Sequence, residues 1–271
     1  MKNIEMHCHS ILSDGKNTPR EVAQEAMRLD LQFLALTDHD TIAPWEFQKM
    51  LMEAGVESCD SVEISAKNYD LDKSLHLVSY AKVFHDSLHE ILDWSRTWKM
   101  DMKWWQFKKL IDEFWFVGTA QWFDNFMRKQ WREPETSNKY DMSDYLMSFA
   151  ENIEKAKHIL WGLCRSKDIV LHFYLECLKR EWALYSEYAH EVSEYEPSVQ
   201  LAVNEVVIRA WGLVSLAHPN VTFGWNKWWI SEFERIIGDY AQKWVRGIEI
   251  NSIASYDWTQ AILEAQQKYD L

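Results

Sequence analysis

The chain is short of cysteines, of basic residues and of long hydrophobic runs, and each shortage argues against a class of protein. Its 271 residues include 4 Cys, none in a Cys-x-x-Cys pair, so we expect neither a disulfide framework nor dithiol redox chemistry. The 29 Lys and Arg stand against 42 Asp and Glu, and a net charge of -13 disfavours an extended nucleic-acid surface. No uncharged run is long enough to span a bilayer, and Lys2, Glu5 and His7 occupy the place of an apolar signal segment. These features predict a soluble, cytoplasmic protein with reduced cysteines.

Two clusters of polar residues lie where the first two predicted strands end. His-Cys-His at 7–9 follows the apolar run from residue 4 to 6, and Thr-Asp-His-Asp at 37–40 follows the run from 31 to 36. Alternate side chains of a strand share a face, so His7 and His9 point together. Asp14 follows in the next loop, before Gly15, whose backbone we expect to take a conformation that other residues resist. A single histidine at a strand end is more often a surface residue than a ligand, but this combination predicts a site for zinc, iron or manganese.

The order of the predicted elements indicates an α/β barrel. A capping box at 18–21 with Pro19 at the first helical position opens a helix after the first strand. Further strands are expected over 32–37, 62–66, 75–81, 213–217 and 247–251, and helices over 44–54, 228–243 and 258–268. This alternation implies a parallel sheet or barrel whose active site lies at the carboxyl ends of the strands.

The middle of the chain interrupts this alternation. Residues 84–196 are rich in Trp, Phe, Leu, Lys and Glu, with hardly any β-branched runs, and predict helices over 86–115, 119–131, 142–162 and 168–191 with a loop over 132–141. We therefore predict a metal-binding barrel of residues 1–83 and 197–271 and an all-helical insertion, residues 84–196, as a cap.

Three further residues of the predicted barrel are candidate ligands: Glu63, His76 and His218. Glu63 lies in an otherwise apolar strand, where an unpaired carboxylate would be costly, so it must be paired or bound to a cation.

Six motifs, in this order, resemble those of the polymerase and histidinol phosphatase (PHP) family: HxHxxxSDG (7–15), TDHDT (37–41), VEIS (62–65), HLVSY (76–80), AHPN (217–220) and GIEINS (247–252). The resemblance implies a distorted seven-stranded α/β barrel and a metal-dependent phosphoesterase with two to three divalent ions, Zn, Mn or Fe. It implies that His7, His9 and Glu63 hold the first metal, Asp14 and His39 the second, and Glu63, His76 and His218 the third. Asp14, His39, Glu63 and His218 would then be the catalytic residues.

One family motif does not occur in the sequence. Members usually carry Gly-Ser-Asp-x-His on the last barrel strand, which gives an Asp to the first metal and a His to the second. The sequence up to Leu271 does not contain this motif, so we expect the last strand to be missing and only the third site to have its full protein ligand set.

The resulting leading hypothesis is hydrolysis of a phosphate monoester or of a short nucleotide or oligonucleotide substrate. The placement of the helical stretch is similar to the branch that contains nucleotide phosphatases and a 5′-to-3′ exoribonuclease. Candidate phosphate contacts are Arg96, Lys99, Arg165 and Lys167, although a solvated helix face is the more common role of such residues. Asp38 and Asp40 are expected to fix histidine tautomers as hydrogen-bond acceptors. The alternatives are a PHP-like protein that binds metal or a phosphorylated ligand without turnover, and a histidinol-phosphatase-like enzyme.

Overall fold

The computed structural model describes residues 3–130, 132, 134–160, 168–179, 196–223, 227–251 and 253–271. The chain forms two compact units. Met1–Ser95 and Glu196–Leu271 make up the first, which we name the sheet unit, and Arg96–Tyr195 the second, the helical unit. The predicted domain boundaries at residues 84 and 196 stay a prediction.

The described residues form six strands: β1 Ile4–Cys8, β2 Phe33–Leu36, β3 Asp60–Asn68, β4 Lys73–Ala81, β5 Leu213–Leu216 and β6 Val245–Ile248. The helices are α1 Pro19–Arg28, α2 Trp45–Glu53, α3 Asp86–Asp112, α4 Ala120–Lys129, α5 Lys139–Met147, α6 Ala150–Ile159, α7 Ile169–Phe173, α8 Val199–Val203, α9 Pro219–Phe223, α10 Lys227–Lys243 and α11 Tyr256–Tyr269. Two π-helical segments, Tyr174–Lys179 and Asn204–Arg209, continue α7 and α8. An α/β fold with a high helix content is therefore confirmed.

The strands form a parallel pair, β1 and β2, and a four-stranded sheet in the order β3-β4-β5-β6. The expectation of a parallel sheet is wrong for the four-stranded sheet, because β4 is antiparallel to both β3 and β5, and within this sheet only β5 and β6 are parallel. The physical reason lies in the connection between β3 and β4. A turn over residues 69–72 joins them, whereas a parallel pair needs a crossover of about a dozen residues or more.

Isolated parallel bridges link the two sheets. Phe33 pairs with Glu57, and His39 pairs with Glu63, so the end of β2 lies against the middle of β3. On the other side, β1 and β6 both line a cavity of about 320 Å³, and the Tyr80 hydroxyl donates to the Met6 carbonyl at 2.8 Å. The described ranges contain no seventh strand, and the seven-stranded barrel stays a prediction.

Apolar packing holds the sheet unit together in two clusters. Leu77 and Leu216 are fully buried in one cluster together with Trp258 of α11. A second cluster packs α1 and α2 onto β2 through Leu36 and Phe47. Full burial of a side chain of this size stabilises the fold by about 1.5–3 kcal/mol.

The helix starts follow the capping chemistry of the sequence. The capping box before α1 is confirmed: the Thr18 hydroxyl accepts the Glu21 N–H at 3.2 Å, and the Glu21 carboxylate accepts the Thr18 N–H at 2.7 Å.

The helical unit has its own core, which includes Phe107, Phe123, Tyr145 and Phe173. The single helix predicted over 142–162 is wrong: α5 ends at Met147 and α6 begins at Ala150, and the Asn152 side chain donates to the Leu146 carbonyl at 2.9 Å, an acceptor that a continuous helix would use.

Other predictions for this unit meet the structure only in part. The loop predicted over 132–141 contains a short 3-10 turn, Pro134–Thr136, and the start of α5. Of the helix predicted over 168–191, the structure describes residues 168–179, and the rest of the prediction lies outside the described residues. No helix in the described part of the chain has both the length and the apolarity needed to cross a bilayer.

Candidate metal centre

Five imidazole nitrogens converge on the two carboxylate oxygens of Glu63, whose side chain is 1% exposed. The distances from Glu63 Oε2 are 3.3 Å to His7 Nε2, 3.1 Å to His9 Nε2 and 3.1 Å to His39 Nδ1. Glu63 Oε1 lies 2.9 Å from His76 Nδ1 and 2.8 Å from His218 Nε2. The structure therefore brings together residues that lie up to 211 positions apart in the sequence (His7 to His218, 218 − 7).

Strand pairing places these side chains. In the antiparallel pair of β3 and β4, His76 lies opposite Ser65, diagonal to Glu63 on the same face. The Ala217 N–H donates to the His76 carbonyl at 3.0 Å, which carries the chain from β5 to His218. At the other edge of β3, the Asp40 N–H donates to the Glu63 carbonyl at 2.9 Å and so holds the His39 segment against Glu63.

Asp14 closes the group on its exposed side. Its Oδ1 lies 3.3 Å from His9 Nδ1, and its Oδ2 lies 3.6 Å from His39 Nε2. Among the residues that the structure describes, three sets of donor atoms are close enough to share a cation each: His7, His9 and Glu63; His9, Asp14 and His39; and His39, Glu63 and His76. The side chains of Asp14 and His39 are 48% and 28% exposed, so this edge of the centre faces solvent.

Gly15 is required by close packing and not by an unusual backbone angle. A Cβ at this position would lie 2.4 Å from the His9 carbonyl oxygen and 2.7 Å from the Ser10 nitrogen. The Gly15 N–H donates to the Ser10 carbonyl at 2.9 Å. The φ of Gly15 is not in the left-handed region, so the expectation that it takes a conformation that other residues resist is wrong, and close backbone contact is what excludes a side chain here.

Asp38 organises the loop that carries His9 and Asp14. Its buried carboxylate accepts the Ser10 N–H and hydroxyl, both at 2.7 Å, and the Ser13 hydroxyl at 2.6 Å. Asp40 instead accepts the Ser65 N–H at 2.9 Å. The expected control of tautomers by Asp38 is therefore indirect and runs through Ser13.

That indirect control defines the proton position on His9. Ser13 Oγ gives its hydrogen to Asp38 and lies 3.2 Å from His9 Nδ1, so it must accept a hydrogen from that nitrogen. The other close neighbour of Nδ1, Asp14, is also an acceptor when ionised. In the neutral ring the proton is on Nδ1, and Nε2 presents a lone pair.

Sequence reasoning missed Glu249, although it lies in the GIEINS motif directly after β6. Its Oε2 lies 3.0 Å from His7 Nδ1 and accepts the His218 N–H at 3.0 Å. A carboxylate accepts only, so the proton of neutral His7 is on Nδ1. A polar residue at the end of a barrel strand is the signal that could have found it.

The donor atoms fit a cation. His7 Nε2 and His9 Nε2 lie 3.0 Å apart, and with both ring protons on Nδ1 each directs a lone pair into the same space as Glu63 Oε2. Three electron-rich atoms at these distances repel one another unless a positive charge lies among them. Imidazole and carboxylate groups are the ligands that zinc, iron and manganese take in proteins.

A proton can supply that charge when no metal is bound. Burial disfavours the charged form of His7, but hydrogen bonds to Glu249 and Glu63 outweigh it and raise the pKa of His7 to about 10. Burial opposes ionisation of Asp14 as well, and the His39 hydrogen bond nevertheless lowers the pKa of Asp14 to about 2. For Glu63, burial is outweighed by hydrogen bonds from His218, His7, His76 and His9, which lower its pKa well below the usual range. Burial lowers the pKa of His76, which favours a neutral imidazole.

Four basic residues are predicted to contact phosphate. Arg96 and Lys99 belong to α3 in the helical unit, and Arg165 and Lys167 lie outside the described residues. A role for these four residues stays a prediction.

The sheet and the His/Glu cluster define an α/β protein with a candidate metal centre, and comparison with known proteins gives its family. Residues 5–252 match the PHP domain, so the chain belongs to the PHP family. The family predicted from the six motifs is confirmed.

Curated relatives match over short stretches. A 5′-3′ exoribonuclease of Haemophilus influenzae is 40% identical over 78 residues, 28% of this chain and 28% of the relative. A phosphoribosyl 1,2-cyclic phosphate 1,2-diphosphodiesterase of Eggerthella lenta is 32% identical over 75 residues, 27% of this chain and 29% of the relative. These matches thus span less than a third of either relative.

Solved structures match over almost the whole chain. A protein described as a metal-dependent phosphoesterase from Bifidobacterium adolescentis superposes with a TM-score of 0.68 at 20% identity, covering 100% of this chain and 85% of its own. An amidohydrolase from Chromobacterium violaceum gives 0.70 at 23% identity, covering 99% and 84%. At these identities the likeness establishes the fold.

Proposed function

We propose that the chain is a metal-dependent phosphoesterase that hydrolyses a phosphate monoester or a short nucleotide or oligonucleotide. The single observation that carries this proposal is the convergence of His7 Nε2, His9 Nε2 and Glu63 Oε2 within 3.3 Å of one another. Membership of the PHP family supports the same chemistry, as do the names of two curated relatives, an exoribonuclease and a phosphoribosyl cyclic phosphate diphosphodiesterase.

The residues of the centre would divide into those that bind the ions and those at the solvent-exposed edge. His7, His9 and His76 would hold divalent ions together with Glu63, which offers one oxygen to each side and so suits a bridge. Asp14 and His39 would complete the exposed edge, where a substrate can enter, and His218 would approach from the β5 side. Bound divalent ions would supply Lewis-acid stabilisation of the negative charge on the phosphoryl group.

The charge of the chain supports a short substrate. A net charge of -13 repels a polyanion, so we expect short phosphate esters, which the ions at one centre can neutralise, to be preferred over long nucleic acids. Two curated relatives are named for the cleavage of RNA and of a phosphoribosyl cyclic phosphate, which makes short RNA and nucleoside phosphates the first compounds to test.

The test is metal analysis combined with a substrate panel. Chelator-treated protein is reloaded with Mn²⁺, Zn²⁺ or Fe²⁺ and its metal content measured, and phosphate release is followed from nucleoside mono- and bisphosphates, short RNA and histidinol phosphate. We expect metal-dependent turnover of a nucleotide substrate. His39→Ala should lower the activity by at least about 100-fold, since mutation of a residue that only hydrogen-bonds to a metal ligand already costs about 10-fold to 100-fold in metal affinity or activity.

His89→Gln is the matched control, because His89 is an exposed histidine of the same unit. Metal binding without hydrolysis of any ester would favour the alternative of a protein that binds metal without turnover. Near-normal turnover in His39→Ala would refute the assignment of this centre.

A further inference from the structure

Glu249 makes two contacts through one oxygen atom. Glu249 Oε2 lies 3.0 Å from His7 Nδ1 and accepts the backbone N–H of His218 at 3.0 Å. We propose that Glu249 is a positioning residue that sets which nitrogen of His7 faces the metal centre and that fixes the backbone from which His218 reaches Glu63. This inference rests on the proposed function.

The first effect concerns the tautomer of His7. Because an ionised carboxylate only accepts hydrogen bonds, Glu249 keeps a hydrogen on Nδ1. The lone pair of neutral His7 is then on Nε2, the nitrogen that lies 3.3 Å from Glu63 Oε2. Without Glu249 the ring could carry its hydrogen on Nε2, which would direct a donor into the space where a cation should bind.

The second effect concerns the backbone at His218. This residue has a φ of 25°, a value that non-glycine residues rarely adopt. The neighbouring groups must hold this conformation, and Glu249 accepts the N–H of the strained residue. His218 Nδ1 is buried without a hydrogen-bond partner among the described residues, so the ring is oriented by its backbone and by the contact of Nε2 with Glu63.

The position of Glu249 places it behind His7. Nδ1 and Nε2 lie on different sides of the imidazole ring, and Glu249 contacts the side away from Glu63. The backbone that carries Glu249 is itself fixed, because its N–H donates to the Leu216 carbonyl at 2.9 Å and the Gln266 side chain donates to the Ile248 carbonyl at 3.0 Å. A rigid acceptor at this place can orient a ligand without touching the ion.

The test compares Glu249→Ala and Glu249→Gln in the full chain, with Zn²⁺ as the probe. Zinc affinity is measured by competition with a chromophoric chelator, and imidazole ¹⁵N shifts of the zinc-loaded protein report which nitrogen carries a hydrogen. Glu264→Gln, an exposed glutamate of α11, is the matched control.

We expect Glu249→Ala to weaken zinc binding by about 10-fold to 100-fold and to remove the protected Nδ1 hydrogen of His7. Glu249→Gln should keep most of the affinity, because its amide oxygen can still accept both hydrogen bonds. An equal loss in both variants would mean that the charge or direct coordination matters, and an unchanged Glu249→Ala would mean that neither contact does; either result overturns the inference. If the parent chain binds no zinc, manganese or iron, both the proposed function and this inference fail. If the parent binds zinc and Glu249→Ala binds it equally well, only the inference about Glu249 is overturned.

Discussion

A proton on His7 should stabilise the metal-free protein, and this effect gives the sharpest test of the geometry. The His7 ring lies between Glu249 on Nδ1 and Glu63 on Nε2, and its side chain is 15% exposed. Both carboxylates favour the imidazolium, which raises the pKa of His7 from 6.5 to about 10 against the effect of burial. His7→Gln removes the titrating group and keeps a polar side chain of similar length.

The sign and the magnitude follow from proton linkage. Because the folded-state pKa is raised, the stabilisation is complete below about pH 6.5 and is lost as the pH rises to about 10. A shift of this size corresponds to about 4 to 5 kcal/mol, lost at about 1.4 kcal/mol per pH unit. The difference in the free energy of unfolding between the parent and His7→Gln should therefore shrink by about 3 kcal/mol between about pH 6 and about pH 9.

The assay is urea denaturation of chelator-treated parent and variant across this pH range. The difference between the two proteins is the quantity to compare, since Lys103 in the helical unit gives a pH dependence of opposite sign in both. His89→Gln controls for the loss of an exposed histidine. A difference that is flat or grows with pH would refute the reasoning, because it would mean that His7 is not held as an imidazolium between the two carboxylates. Saturating metal should reverse the slope of the parent, since the ion needs the deprotonated Nε2.

Two further predictions test other parts of the structure. Ser13→Ala removes the hydroxyl that links Asp38 to His9 and should weaken metal binding by about 10-fold to 100-fold in a chelator competition. Ser13→Thr keeps the hydroxyl and should bind metal as the parent does. Equal metal affinities of the parent, Ser13→Ala and Ser13→Thr would contradict this link. Burial lowers the pKa of Lys103 to about 7 although Asp141 raises it, so unfolding takes up a proton and the stability should rise with pH from about 7 to about 10. Lys103→Met should flatten that rise in denaturation experiments, and an unchanged profile would show that the lysine stays solvated.

Several parts of the fold follow from local sequence chemistry. The capping box before α1 works as its residues require, and β2, α2, β5 and α10 lie close to the predicted ranges, because apolar spacing and turn residues act over a few neighbouring positions. The break between α5 and α6 could not be predicted in this way. It depends on the Asn152 side chain taking a carbonyl of the preceding helix, and no local pattern marks that choice.

The directions of the strands needed more than element order. The alternation of strands and helices favoured parallel pairing, but the short connection after β3 allows only an antiparallel return. The polar residues of this turn, 69–72, are evident in the sequence. The length of the turn constrains the direction of β4 more strongly than the order of the elements does.

By itself the sequence determined which chemical groups this protein can offer: His7, His9, Asp14, His39, Glu63, His76 and His218 stand in an order typical of the PHP family, next to strand ends or in strands. Only the tertiary structure decided how these groups meet. Glu63 on β3 faces five histidines because β1, β2, β4 and β5 bring their distant segments to it, and Glu249 reaches both His7 and the His218 backbone because β6 ends beside them. The proton on each imidazole depends on which acceptor lies within about 3 Å of it, and that distance is set by packing between segments that local sequence patterns do not connect.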